Sequence, residues 1–252
     1  MEIKKLHSWD LSYKEAVALQ RKLAGKVRFT PLERQPRLIA GLDCALSRDS
    51  QRIIAGVVLL KIPGFEIIET VTAVRKLVFP YIPGLLSFRE APACIAAVEK
   101  LKEEPDVFLI DGQGVAHPRR FGLAAHLGLF FDIVTVGCAK SRLTGYFEDP
   151  PAEKGSYSLL KDKKSNKLFR SQKSEDRGQK TEVTGRELRG TSDEVIGAVV
   201  RTRTDVKPVF VSVGNKCMLE DAIKIALGCT TRYRLPEPTR LAHQLVSKKR
   251  VS

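Results

Sequence analysis

The chain has 252 residues and is 43% apolar, enough for one large domain or two small ones with a real core. Lys and Arg outnumber Asp and Glu by 43 to 29, a formal net charge of +14 that favours a polyanionic partner such as nucleic acid. No apolar run approaches the roughly 20 residues of a membrane span, the N-terminus lacks a secretory h-region, and the five cysteines form no C-x-x-C pair. A membrane protein, a zinc site and a disulfide framework are therefore poor fits, and a reduced, cytoplasmic setting is expected.

In chain order, a helix is expected over residues 10–25. Ser12 and Glu15 form a capping box, Ala16, Leu19 and Leu23 share a face, and Gly25 ends it. Strand-like runs follow at 38–46, 52–61 and 66–78, joined by Arg48-Asp49-Ser50 and Ile62-Pro63-Gly64, as in an antiparallel meander. Phe79-Pro80-Tyr81-Ile82-Pro83-Gly84 then interrupts the pattern. Its two prolines fix φ and restrict their neighbours, which makes a stiff projection with an aromatic at the tip. A helix from about 87–90 to 102 buries Ile95, Val98 and Leu101, with Pro92 in its first turn.

A strand at 106–111 comes next, then a loop with His117-Pro118-Arg119, a small-residue helix at 119–128, and a strand at 132–136 with Lys140 just beyond. Residues 161–190 carry ten Lys/Arg against five Asp/Glu and read as a basic, flexible or hairpin-like insertion. Apolar runs return at 194–200 and 208–213, followed by a helix at 217–228, a short C-terminal helix and the basic end Lys248-Lys249-Arg250. There is no repeat and no clean linker. The order of elements fits a single α/β domain, a mixed β-sheet flanked by α-helices in ribonuclease-H-like fashion.

Asp43 and Asp111 lie in or at the end of apolar strands, where core packing asks for no acid. Glu90, in the first turn of the second helix, can join them. Three carboxylates aimed at one point suit Mg²⁺, with Mn²⁺ as substitute, and such ions serve phosphodiester hydrolysis. His117 can orient a water and Lys140 can neutralise a phosphate; a structural histidine and a surface lysine are the plainer readings. Tyr81 on its stiff tip can replace lost base stacking or fold onto the surface. Gly112-Gln113-Gly114 lets backbone approach a ligand closely, although G-x-G alone is a weak pattern.

Together these stretches resemble the endonuclease V family. The resemblance rests on Gly41-Leu42-Asp43, Phe79 to Gly84, Leu86-Ser87-Phe88-Arg89-Glu90, Asp111-Gly112-Gln113-Gly114 with His117-Pro118-Arg119, and Gly137-Cys138-Ala139-Lys140-Ser141. It continues through Gly197 to Arg203, Lys207 to Gly214 and Tyr233 to Arg240. It implies Mg²⁺-dependent cleavage at the second phosphodiester bond 3′ to inosine. It also implies Asp43, Glu90 and Asp111 as metal ligands, and His117 and Lys140 at the scissile phosphate. Tyr81, flanked by Pro80 and Pro83, would form the wedge, and a hypoxanthine pocket would lie near Ile82, Leu86 and Gly112 to Gly114. No organic cofactor and a monomeric state are expected. Asn215 follows Gly214 where the family usually has His. Asn215 is counted with the substrate contacts, although it cannot transfer a proton. Inosine-containing RNA in place of DNA, and an inosine-binding protein with weakened catalysis, stand as the alternatives.

Overall fold

A computed structural model describes residues 2–163 and 193–251. In chain order the elements are α1 (Tyr13–Ala24), β1 (Leu38–Leu46), β2 (Arg52–Lys61), β3 (Glu66–Lys76), α2 (Leu86–Val98), β4 (Val107–Ile110) and α3 (Leu123–Phe131). They continue with β5 (Val134–Ala139), β6 (Tyr157–Asp162), β7 (Glu194–Val200), β8 (Val209–Asn215), α4 (Leu219–Gly228) and α5 (Glu237–Val251). Among the described residues the strands form one eight-stranded sheet in the order β3-β2-β1-β4-β5-β8-β7-β6. Only the β1–β4 and β4–β5 pairs are parallel. This is the mixed, helix-flanked sheet that the order of elements implies.

Strand alternation decides which side chains meet. Along β1, Ala40 and Leu42 join the cluster built on α2 and α3, while Ile39 belongs to the opposite face. Asp43 therefore points away from α2, and Cys44 points toward it. Along β4, Phe108 and Ile110 lie with α2 and Val107 and Leu109 with the other face. The parallel register pairs Gly41 with Leu109 and Leu42 with Ile110, and Asp111 N–H donates to the Leu42 carbonyl at 3.0 Å. One step further sets Asp43 beside Asp111 on one face, a strand spacing of about 4.8 Å apart.

Helix α5 covers that face. Its Ala242 clusters with Val58 and Leu60 of β2, and burial of each such aliphatic side chain contributes ~1.5–3 kcal/mol. The strands offer α5 two glycines. A Cβ on Gly41 would sit 1.9 Å from the Pro238 carbonyl oxygen, and one on Gly56 would sit 2.7 Å from a Val246 methyl. The helix backbone can rest on β1 only because Gly41 has no side chain.

Several boundaries differ from expectation. Helix α3 begins at Leu123, four residues late, because Arg120 takes a left-handed backbone (φ 57°) and Gly122 is the extended cap residue. Strand β5 begins at Val134 because Asp132 (φ 51°) closes α3 in the left-handed region. The C-terminal helix has 15 residues rather than a short run; Leu241, Ala242, Leu245 and Val246 give it an apolar stripe. Strand β6 was not foreseen, and it takes in residues 161 and 162. Residues 164–190 of the expected insertion lie outside the described residues.

Candidate metal centre

The two strand acids meet as the register requires. Asp43 is 7% exposed. Its Oδ1 accepts from the Cys44 amide at 2.7 Å, and its Oδ2 lies 2.7 Å from His243 Nδ1 on α5. Lys140, just past β5, donates to Asp111 Oδ2, and its ammonium is 3.5 Å from His243 Nδ1. One ligand atom from each of Asp43, Asp111 and His243 falls within 4.8 Å of the others. Glu90, expected as the third acid, lies on α2 outside that group and senses it through charge alone. Burial, then the charges of Asp43 and Asp111, push its carboxyl up from 4.5 to about 8. Burial and Asp111 likewise raise Asp43 from 3.8 to about 6, against the opposing hydrogen bond from His243 and the charge of Lys140.

These residues fit a hard divalent ion. Withdrawn acids that repel one another ask for more positive charge than Lys140 supplies. The donors are carboxylate oxygens and one imidazole nitrogen, a set suited to Mg²⁺ or Mn²⁺ rather than to a thiolate metal. Cys44 is adjacent in sequence but turned to the other face. His243 was missed in the sequence. The available signal was a lone histidine at the end of the Pro236-Glu237-Pro238-Thr239-Arg240 run, and nothing local links it to an acid 200 residues away.

The proline-flanked tip is anchored at its base. Phe79 and Leu85 are buried with Phe88, and Ile82 packs on them. Tyr81 is 69% exposed, with the Arg89 guanidinium 5.7 Å from its ring centre. Pro80 and Pro83 flank it in solvent, and Leu86 is exposed at the start of α2. The Gly84 carbonyl at the base of the tip accepts from Gln20 Nε2 at 3.0 Å, His117 Nε2 at 3.0 Å and Arg119 Nη2 at 2.6 Å.

Three expectations are corrected here. His117 was expected at the scissile phosphate, but it is buried and both ring nitrogens are used. Nε2 donates to Gly84, and Nδ1 accepts from the Arg119 amide at 3.1 Å. Burial and the neighbouring Arg119 lower it to about 4, so it stays neutral. His117 holds the tip. Gly114 was expected against the base, but the space beside it is filled by the Val213 carbonyl, its N–H donates to Ser212 Oγ, and its carbonyl accepts from Gly122. Asn215 was expected at the substrate, but it is fully buried. Its Oδ1 accepts from the Arg28 amide and its Nδ2 donates to the Gly128 carbonyl. It pairs with Thr135 at the start of β5, roughly 16 Å along the strand from Lys140 at ~3.3 Å per residue. Gln113 is buried with its amide on the Ser141 carbonyl, and Gly112 is half-buried beside Asp111.

The Endonuclease V family model matches residues 21–244. The chain belongs to the endonuclease V family. It is 45% identical to the Endonuclease V of Methanothrix thermoacetophila over 249 residues, covering 99% of this chain and 97% of that one. The crystal structure of Endonuclease V from Streptomyces avermitilis superposes with a TM-score of 0.80 at 35% identity, covering 99% of this chain and 97% of the other. Endonuclease V of Ciona intestinalis superposes with a TM-score of 0.69 at 27% identity, covering 92% and 94% of the two chains. That structure is a complex with a 24mer DNA containing an inosine followed by a ribo-adenosine. Membership of the endonuclease V family makes this chain a nuclease acting on phosphodiester bonds, and the acid cluster is consistent with its metal dependence.

Proposed function

We propose that the enzyme nicks DNA at the second phosphodiester bond 3′ to deoxyinosine, and so starts repair of deaminated adenine. Mg²⁺ is the proposed ion, with Mn²⁺ as substitute, and Asp43, Asp111, Glu90 and His243 are the proposed ligands. The observation that carries this reading is the convergence of Asp43, Asp111 and His243 within 4.8 Å. The inosine-bearing DNA held by the Ciona relative supports the choice of lesion.

A dication bound there would neutralise charge on the phosphoryl oxygens and make water a better nucleophile. The protein's own groups do the rest. Asp43 fixes the His243 ring through Nδ1, which leaves Nε2 to face the ion. Lys140 brings an ammonium to the same point and can meet a phosphate oxygen once Asp111 is otherwise neutralised. Tyr81 offers its exposed ring to the gap left by an extruded base, at ~1–3 kcal/mol per stacked base. Gln20, His117 and Arg119 keep the tip from yielding. Hypoxanthine accepts at O6 where adenine donates, so a backbone amide near Leu86 and Gly112 would favour the deaminated base.

The ribo-adenosine beside inosine in the Ciona complex favours a second reading, inosine-containing RNA. Among the described residues no helix is long and apolar enough to cross a membrane. A single-domain monomer in the cytoplasm completes the proposal. The test is a labelled duplex with one deoxyinosine, run beside RNA of the same sequence. One nick in Mg²⁺, abolished by EDTA, is expected on DNA. No nicking by folded protein contradicts the reading, and a strong preference for RNA replaces the substrate.

A further inference from the structure

We propose that Cys44 and Cys94 form a thiol modification site that a small disulfide, of the oxidised-glutathione class, converts to an internal disulfide. Cys44 Sγ lies 3.2 Å from Cys94 Sγ. Strand alternation sends Cys44 to the α2 side of the sheet although Asp43, one residue earlier, faces α5. Cys94 sits one helical turn beyond Glu90, so the two sulfurs join the strand and the helix that carry two of the three acids. A bond needs them about 1.1 Å closer, at ~2.05 Å. The other three cysteines are all buried, and Cys217 Sγ lies 3.7 Å from the Thr135 carbonyl rather than against a thiol.

Unequal exposure gives the two thiols different parts. Cys44 is half-buried, whereas Cys94 is fully buried. Cys44 therefore meets the oxidant. Its thiolate attacks the small disulfide, forms a Cys44–S–S–R mixed disulfide and releases one RSH. Cys94 then attacks the Cys44 sulfur, the second RSH leaves, and each protein thiol proton ends on a released thiol. Two protein sulfurs are oxidised and one small disulfide is reduced. Because both thiols are shielded, the exchange is slow. The link closes a span of 50 residues, which restricts the unfolded chain and raises the melting temperature. The site is independent of the proposed lesion specificity, and its test measures no cleavage.

Folded protein is incubated at length with excess oxidised glutathione at about pH 8, below the raised range in which the contact with Cys94 and burial hold the Cys44 thiol, then analysed by intact mass, peptide map and thermal melt. The expected product has lost two hydrogens, retains no glutathione, keeps three of five thiols and links the Cys44 and Cys94 peptides. It melts higher, and dithiothreitol reverses it. Cys94→Ser is expected to keep one glutathione on Cys44, and Cys44→Ser to stay unmodified. Glutathione retained on Cys44 of the unaltered protein, five thiols after prolonged exposure, or a link to another cysteine would overturn the proposal. The unaltered protein alone decides it should either variant misfold.

Discussion

In the metal-free protein Glu90 and Asp43 keep their protons to higher pH than they would in water. Burial first, then neighbouring acids, raises Glu90 from 4.5 to about 8 and Asp43 from 3.8 to about 6. The unfolded chain ionises both near their usual values, so the folded, metal-free protein binds more protons through the interval between. The resulting stability is fully present below about 4, and is lost as pH rises through about 6 for Asp43 and about 8 for Glu90. In EDTA the melting temperature is therefore expected to fall across that window, and Glu90→Gln is expected to flatten the upper part. Mg²⁺ should restore stability most above neutrality, since ligands bind it deprotonated. A metal-free melting temperature that climbs through the window would refute the assignment. His243 gives a second prediction. Losing one well-placed stabilising group costs ~10²–10³-fold in rate, so nicking by His243→Ala should drop by that order while lesion binding is kept. Asp43→Ala should drop further, below detection. Full activity in either variant would remove that residue from the site.

At the scale of elements, helix α5 completes the centre, and Gly41 decides whether α5 can lie down. A methyl there meets the Pro238 carbonyl, and overpacking of this kind costs ~1–3 kcal/mol. Gly41→Ala should lower the denaturation midpoint by that amount and weaken nicking, because the helix start moves off β1 and His243 leaves Asp43. Normal stability with normal nicking would mean that α5 does not depend on this seat. The same contact explains what the sequence could not reveal. Asp43 and Asp111 were legible because buried strand acids have no packing purpose, and the meander was legible from alternation and turns. His243 was not, because its significance arises from a docking that joins positions 200 residues apart. His117 and Asn215 have the right chemistry for a site, and only their hydrogen-bond partners reveal structural work. The late start of α3 and of β5 turned on left-handed backbone at Arg120 and Asp132, where neither residue type announces it.

For the whole molecule, charge and topology combine. A formal +14 makes the enzyme a polycation whose grip on DNA releases counterions. Binding to undamaged duplex should fall steeply with salt, by ~10³–10⁵ between about 50 and 200 mM if six to ten phosphates are met. Turnover of saturated lesion duplex should change far less. A flat salt response would detach the charge from function. The fold supplies the fixed frame for that chemistry. Parallel β1 and β4 bring two acids side by side, and α5 closes the cradle with His243. The most direct test of that cradle is the loss of the free Mn²⁺ paramagnetic signal on titration into metal-free protein at neutral pH. Saturable uptake by the unaltered enzyme, abolished in Asp43→Asn and in Asp111→Asn proteins that melt cooperatively, is the expected result. Undiminished uptake by those two variants would contradict it.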